Sequence, residues 1–407
     1  MMRAYERLLR YIGFDTASEE DVAQTPSSPC QWDLALALAA EMREMGMHDV
    51  GVDDHAYVYG RIPATAGYEH CAAVGFIAHL DTVTTGVRGP SPYRVIRGYD
   101  GGAVALGESG LCLTPDRFPH LPSLAGKTLI VTEGTMVLGA DDKAGIAEIL
   151  TLCEQLLSGD RPHGAVSVCF TPDEEIGHGA ALMDLSRFGA SVAYTVDGSA
   201  AGEVEYETFN AAAAKWEITG VSVHPGSGKG VMVNAAAVAA EIDALLPPDE
   251  RPRYTAGRQG FYHLISLQGD VSHATAQYII RDHDAAAFAR RKETMRDVAR
   301  QINERYGAET AKLTLTDQYR NMAEVIAGCP RVMEAARSAI RGAGREPVSE
   351  PVRGGTDGAQ LSFRGLPCPN LGTGGYAFHG PYEHVCVEEM DLAVEILAGI
   401  VDWFATR

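Results

Sequence analysis

An α/β fold carrying an inserted ferredoxin-like α+β unit is predicted by three features of the 407-residue sequence. Short apolar runs alternate with helix-period segments over the first half. The order of elements then changes to β-α-β-β-α-β. Acidic or histidine clusters follow directly on several apolar runs, at the ends where an open α/β sheet binds ligands. At about 150 residues per domain the length suits two or three domains.

Residues 72–80 (AAVGFIAHL) read as a buried strand, 128–132 as a second and 166–170 as a third. Between the last two, 145–157 has apolar residues at three- and four-residue spacing and reads as a helix. A helix near 180–188 and a strand at 192–196 follow, so the sheet is expected to be largely parallel. From about residue 211 the pattern becomes strand 216–220, helix 234–246, strand 261–268, strand 276–282, helix 285–306 and strand 313–317. That order is the split βαβ unit. Helices at 329–343 and 388–405 return the chain to the larger domain. The boundaries expected are 1–208 with 321–407 for the larger domain and 209–320 for the insertion.

Composition narrows the function. The chain has 34 Lys+Arg against 54 Asp+Glu, a formal net charge of −20. Nucleic acid and anionic membrane both need a basic footprint, so neither is expected as a partner. The charge fits a cytosolic protein, or one whose acidic groups hold metal ions. Eight scattered cysteines with no Cys-x-x-Cys spacing read as reduced thiols, which implies a reducing compartment. The N-terminus has no apolar signal region and no run approaches the ~18 apolar residues that span a bilayer. A cytoplasmic location is expected.

His79-Leu80-Asp81 ends the first strand. Residues two apart in extended chain share a face, and a metal-bound imidazole usually gives its other N–H to a carboxylate. Alone, the pair fits a surface turn better. Gly139-Ala140-Asp141-Asp142 opens a helix, where an aspartate is as often a cap. Asp173-Glu174-Glu175 follows the third strand, and three adjacent carboxylates repel unless solvated or neutralised by a cation. Asp197 ends the 192–196 strand. His379 lies in a Gly-rich segment near the C-terminus, flanked by residues that permit close backbone approach. Two histidines and three carboxylates make a ligand set suited to a pair of Zn²⁺ or similar ions.

Longer strings carry a resemblance: GADDKAGIAEI at 139–149, FTPDEE at 170–175, AYTVDG at 193–198, VHPGSGKGVMVNA at 223–235, YIIRD at 278–282, RGGTDGAQLSF at 353–363 and TGGY at 373–376. The chain resembles the tripeptide aminopeptidases (the peptidase T group) of the dinuclear-zinc M20 metallopeptidase family. The resemblance implies a zinc-peptidase-like three-layer α/β/α catalytic domain with an inserted ferredoxin-like lid domain. It implies two divalent metal ions per subunit, zinc foremost, with Asp141 bridging. His79 and Asp197 complete one site, Glu175 and His379 the other. Asp81 and Glu174 take the catalytic roles, Asp81 by orienting His79 and Glu174 as the acid–base carboxylate. His224, Arg281, Asn234 and Arg353 are implied to bind substrate. The implied reaction removes the N-terminal residue of a short peptide with a free amino end by a metal-activated water. An N-acyl amino acid deacylase or carboxypeptidase-like hydrolase of the same superfamily is the alternative, and a homodimer is compatible. Pro381 and Tyr382 are less typical of the family and leave the shape of that loop open.

Other motifs fail. Gly228-Lys229 lacks the upstream glycine and the Ser/Thr of a phosphate loop, and Glu174 to His178 matches no zincin pattern. His178 reads as exposed and inert. His120, His163, His263, His273, His283 and His384 show no convergent spacing, although His263 could line a cleft.

Overall fold

The computed structural model describes residues 1–83 and 86–407. Two compact units are present: Met1–Tyr206 with Met322–Glu350 and Thr356–Arg407, and Glu207–Asn321 with Pro351–Gly355. The chain opens with α1 (Ala4–Tyr11), α2 (Gln31–Glu44), β1 (His48–Val52), β2 (Val58–Ile62) and β3 (Val74–His79). β4 (Tyr93–Ile96), β5 (Val104–Leu106), β6 (Leu111–Leu113), β7 (Leu129–Thr132) and α3 (Ala140–Ser158) follow. Next come β8 (Val166–Thr171), α4 (Leu185–Phe188), β9 (Val192–Gly198) and β10 (Val204–Glu205). The second unit holds β11 (Asn210–Thr219), α5 (Ala235–Leu245), β12 (Phe261–Gly269), β13 (His273–Asp282), α6 (Ala285–Tyr306) and β14 (Ala311–Tyr319). The first unit resumes with α7 (Ala323–Ala327), α8 (Pro330–Gly342), α9 (Asp357–Phe363), β15 (Asn370–Gly372), β16 (Gly375–Tyr376), β17 (His384–Cys386) and α10 (Val387–Ala405).

The first unit is three-layered around a seven-stranded sheet of order β1-β2-β8-β3-β9-β15-β10. Its centre, β8-β3-β9-β15, is parallel, and the flanking pairs are antiparallel. Every residue of β3 and of β8 is buried, which is why both read as unbroken apolar runs. Alternation still divides the faces. Phe76 and Ala78 join the larger core under α1, α2, α3, α8 and α10, while Ile77 joins Tyr57, Tyr59, Phe188 and Leu361 on the other side. Such burial of Val, Ile or Phe side chains contributes about 1.5–3 kcal/mol each.

The second unit is an antiparallel sheet of order β12-β13-β11-β14, with α5 and α6 against one face. Trp216, Tyr262, Tyr278 and Ile280 point into that core with Phe288 and Met295. This is the expected β-α-β-β-α-β arrangement.

Four expectations about elements need correction. The sheet is not largely parallel, since β1, β2 and β10 pair antiparallel at its edges. The 128–132 strand belongs to a separate antiparallel sheet of order β16-β17-β7-β4. The 180–188 helix shrinks to Leu185–Phe188, because Asp184 caps it through the N–H groups of Ser186 and Arg187 and Gly189 ends it in the left-handed region. β11 also starts six residues earlier than expected, at Asn210, through a run of alanines that β-propensity disfavours.

Candidate metal centre

Three parallel strands end together. β3 and β8 run in register to His79 opposite Thr171, and β3 pairs with β9 two residues short of Asp197. The C-terminal ends of β3 and β9 therefore deliver His79 and Asp197, and the turn after β8 delivers Glu174–Glu175, to one rim of the sheet. Asp141 arrives from the start of α3, where Gly139 adopts φ +76° and helical geometry sets in only after Asp142. The Asp141–Asp142 peptide is cis. His379 comes from the turn between β16 and β17, itself at φ +63°.

Five side chains converge as two triads that share one carboxylate. His79, Asp141 and Asp197 have donor atoms within 4.8 Å of one another, and so do Asp141, Glu175 and His379. The two oxygens of Asp141 divide the work. Oδ1 lies 3.0 Å from His79 Nε2 and Oδ2 lies 2.9 Å from His379 Nε2. Asp197 Oδ1 is 3.5 Å from the same His79 nitrogen, and Glu175 Oε2 is 3.1 Å from His379 Nε2. Glu175 Oε1 is buried and makes no hydrogen bond among the described residues. An unpartnered buried carboxylate oxygen beside a second acidic group is costly unless a cation sits against it. The donor set and its division around Asp141 fit a pair of divalent ions.

The electrostatics agree. Burial pushes the Asp197 carboxyl up to about 8, aided by the Asp141 charge, although His79 opposes this. Burial also holds Glu174 well above the carboxylate range, with Asp197 adding to the effect. Burial disfavours a charged His79, but Asp197, Asp141 and Asp81 outweigh it and raise the imidazole. His379 is pushed up to about 11 by its hydrogen bonds to Asp141 and Glu175. Burial would raise Asp141, yet the two histidines draw it below the usual range. Crowded acids that retain protons, beside imidazoles that take them up, form a site where divalent cations can displace protons.

Asp81 does more than face His79. Its carboxylate lies 3.4 Å from His79 Nδ1, while the closer partner of that nitrogen is the Asp81 backbone carbonyl at 2.9 Å. The same carboxylate accepts the N–H groups of Glu174 at 2.9 Å and Glu175 at 3.2 Å. It is completely buried. One side chain thus joins the ends of β3 and β8.

Several supporting residues were not anticipated. Asp142 accepts the His79 N–H at 3.1 Å. Asp173, at φ +59°, accepts the backbone N–H and hydroxyl of Ser27 and the Gln31 amide. Asn370 accepts the Asp197 N–H and donates to Glu205. Glu383 accepts the N–H groups of Gly139 and Asp141. Asp142 and Asp173 sit inside strings that drew attention for their neighbours. Asn370 and Glu383 carry no local signal.

The four expected substrate-binding residues lie in the second unit. Asn234 Oδ1 accepts the Ala237 N–H as the N-cap of α5. Arg353 donates to the carbonyls of Gly257 and Gln259 and to the Thr255 hydroxyl, and its guanidinium covers Phe209 and Phe261. Both side chains hold local structure. His224 is exposed and its Nδ1 accepts the Gly226 N–H. Arg281 Nη1 donates to the carbonyls of Ala212 and Ile280, with the guanidinium over the Tyr319 ring. His178 is exposed as expected, and His263 is exposed too. His120 and His384 do converge, contrary to expectation: their Nε2 atoms are 2.9 Å apart and both rings stack with Tyr376.

The model of peptidase family M20/M25/M40 matches residues 131–403. A Peptidase T of Bacillus velezensis is 46% identical over 404 residues, 99% of this chain and 98% of its own. A Peptidase T of Clostridium perfringens is 45% identical over 408 residues, covering both chains completely. Among solved structures, an aminopeptidase PepT from Bacillus cereus superposes with a TM-score of 0.78 at 22% identity, covering 99% of this chain and 98% of that one. A dinuclear metal binding peptidase of the M20 family from Bacillus subtilis gives 0.65 at 16% identity, covering 99% and 97%.

Proposed function

Because this chain belongs to peptidase family M20/M25/M40, we propose that it is a tripeptide aminopeptidase, releasing the N-terminal residue of short peptides with a free amino end. The observation that carries the reading is the pair of donor triads sharing Asp141. Full-length identity of 45–46% to proteins called Peptidase T supports the substrate class.

His79, Asp141 and Asp197 would hold one divalent ion and Asp141, Glu175 and His379 the other, with zinc the metal that suits this nitrogen and oxygen set. Such a pair polarises the scissile carbonyl and lowers the pKa of water towards neutrality. Glu174 is the group placed to move protons. Its backbone is pinned by Asp81, and burial keeps its carboxyl unusually basic. It takes the proton of the attacking water and gives it to the leaving amine, a task worth about 10²–10⁴-fold. Asp81 is a positioning residue, since its contacts are with His79 and the amides of Glu174 and Glu175. We assign the substrate carboxylate to Arg281 and the developing oxyanion to His224. The resemblance also gives Asn234 and Arg353 to the substrate; in this structure their polar atoms serve the α5 cap and the 255–259 loop, as Arg281 Nη1 serves the Ala212 and Ile280 carbonyls. No helix among the described residues is long and apolar enough to cross a membrane. A cytoplasmic enzyme acting on peptides, with no nucleic-acid or membrane partner and with dimerisation permitted, is consistent with the charge of −20.

The test is turnover of di-, tri- and tetrapeptides beside N-acetylated amino acids, with zinc and with chelator. Metal-dependent release of the N-terminal residue, fastest from tripeptides, is expected. Preference for N-acetylated substrates would assign the chain to the deacylases instead.

A further inference from the structure

Asp141 and His379 come from distant parts of the chain, and one buried side chain ties them. Glu383 is 1% exposed. Its Oε2 accepts the Gly139 N–H and its Oε1 the Asp141 N–H, both at 2.9 Å. These donors lie at the N-cap and the start of α3, ahead of the point where helical geometry sets in, and N–H groups there have no partner within the helix. Glu383 also lies four residues after His379, in a turn closed by its own N–H to the Gly380 carbonyl at 3.1 Å. That turn is fixed independently. The Thr132 hydroxyl donates to the Pro381 carbonyl at 2.5 Å, and Arg117 donates to the Tyr382 hydroxyl at 2.7 Å.

The bridging carboxylate must present one oxygen to each triad, so rotation about the Asp141 backbone would disturb both at once. We propose that Glu383 is a positioning residue that fixes the Asp141 backbone relative to the His379 turn, so that the shared carboxylate meets both histidines. The inference rests on the two-metal reading above. A carboxylate is needed because it accepts at both oxygens. An amide of the same shape accepts at one and sets an N–H against the other donor.

The test compares wild type, Glu383→Gln and Tyr382→Phe by chelator-competition titration with Zn²⁺ and by amide hydrogen exchange of the metal-free chains. Partners of this kind change metal affinity by about 10–100-fold when altered. Glu383→Gln is expected to weaken both ions by that factor together and to speed exchange at Gly139 and Asp141. Tyr382→Phe, which removes only the Arg117 bond, is expected to leave affinity unchanged. If Glu383→Gln binds both ions as wild type does, or if Tyr382→Phe weakens them equally, the inference is overturned while the two-metal reading stands. A wild-type chain that takes up no metal would overturn that reading and the inference with it.

Discussion

Replacing Asp81 by asparagine keeps the side chain's shape and removes one acceptor from a buried junction. Asp81 Oδ1 holds the Glu174 N–H at 2.9 Å, and Oδ2 holds the Glu175 N–H at 3.2 Å. An asparagine satisfies one of these and turns an NH₂ group against the other. Hydrogen bonds to charged groups contribute about 1.5–3 kcal/mol, and a stranded buried donor costs a similar amount. At 1.4 kcal/mol per tenfold, the loss is about 10- to 150-fold in kcat/KM. The fall should lie mainly in kcat, because the displaced residues are those proposed to carry the proton and to hold a metal ion rather than groups assigned to the peptide's ends. The assay is steady-state hydrolysis of a tripeptide at saturating zinc, with the bound metal counted in the same samples. Asp81→Asn turning over within twofold of wild type would show that this junction does not position Glu174.

Other outcomes follow from the same geometry. Glu174→Gln should retain two ions by metal analysis and lose about 10²–10⁴-fold in kcat; near-normal turnover would remove it as the proton carrier. On the proposed assignment of the substrate carboxylate to Arg281, Arg281→Ala should lower the tripeptide-over-tetrapeptide preference in kcat/KM; an unchanged ratio would refute that assignment. Glu148, fully buried in α3 with neither oxygen hydrogen-bonded among the described residues, is raised well above the carboxylate range by burial. The folded state therefore keeps a proton that the unfolded chain loses above its ordinary pKa, so stability falls as pH rises, by up to about 1.4 kcal/mol per pH unit from this one group. Glu148→Gln should be increasingly stabilising relative to wild type from pH 5.5 to 8.5 in denaturant midpoints, and a pH-independent difference would contradict the argument.

What could be read in the sequence was whatever had a local cause. Residues 74–79 and 166–171 are apolar on both faces because the sheet is covered on both, and runs of that kind betray themselves without a partner. The five side chains of the two triads could be picked out because histidines and carboxylates at strand ends are chemically conspicuous. Of the small sheet only β7 could, as the 128–132 run; β16, β17 and β4, strands of two to four residues, carry no period. The alanines at 211–214 suggest no strand, and only pairing with both β13 and β14 makes them one. Pairs such as His120 with His384 are separated by 264 residues and meet only when the chain has folded. Glu383 is a lone acid in a Gly-Pro turn until Gly139 and Asp141 are brought to it.

Counting bound metal in wild type and three single variants tests the shared carboxylate most directly. Two ions are expected in wild type, one in His79→Ala, one in His379→Ala and none held tightly in Asp141→Ala. An Asp141→Ala chain that still binds two ions with wild-type affinity would contradict the account.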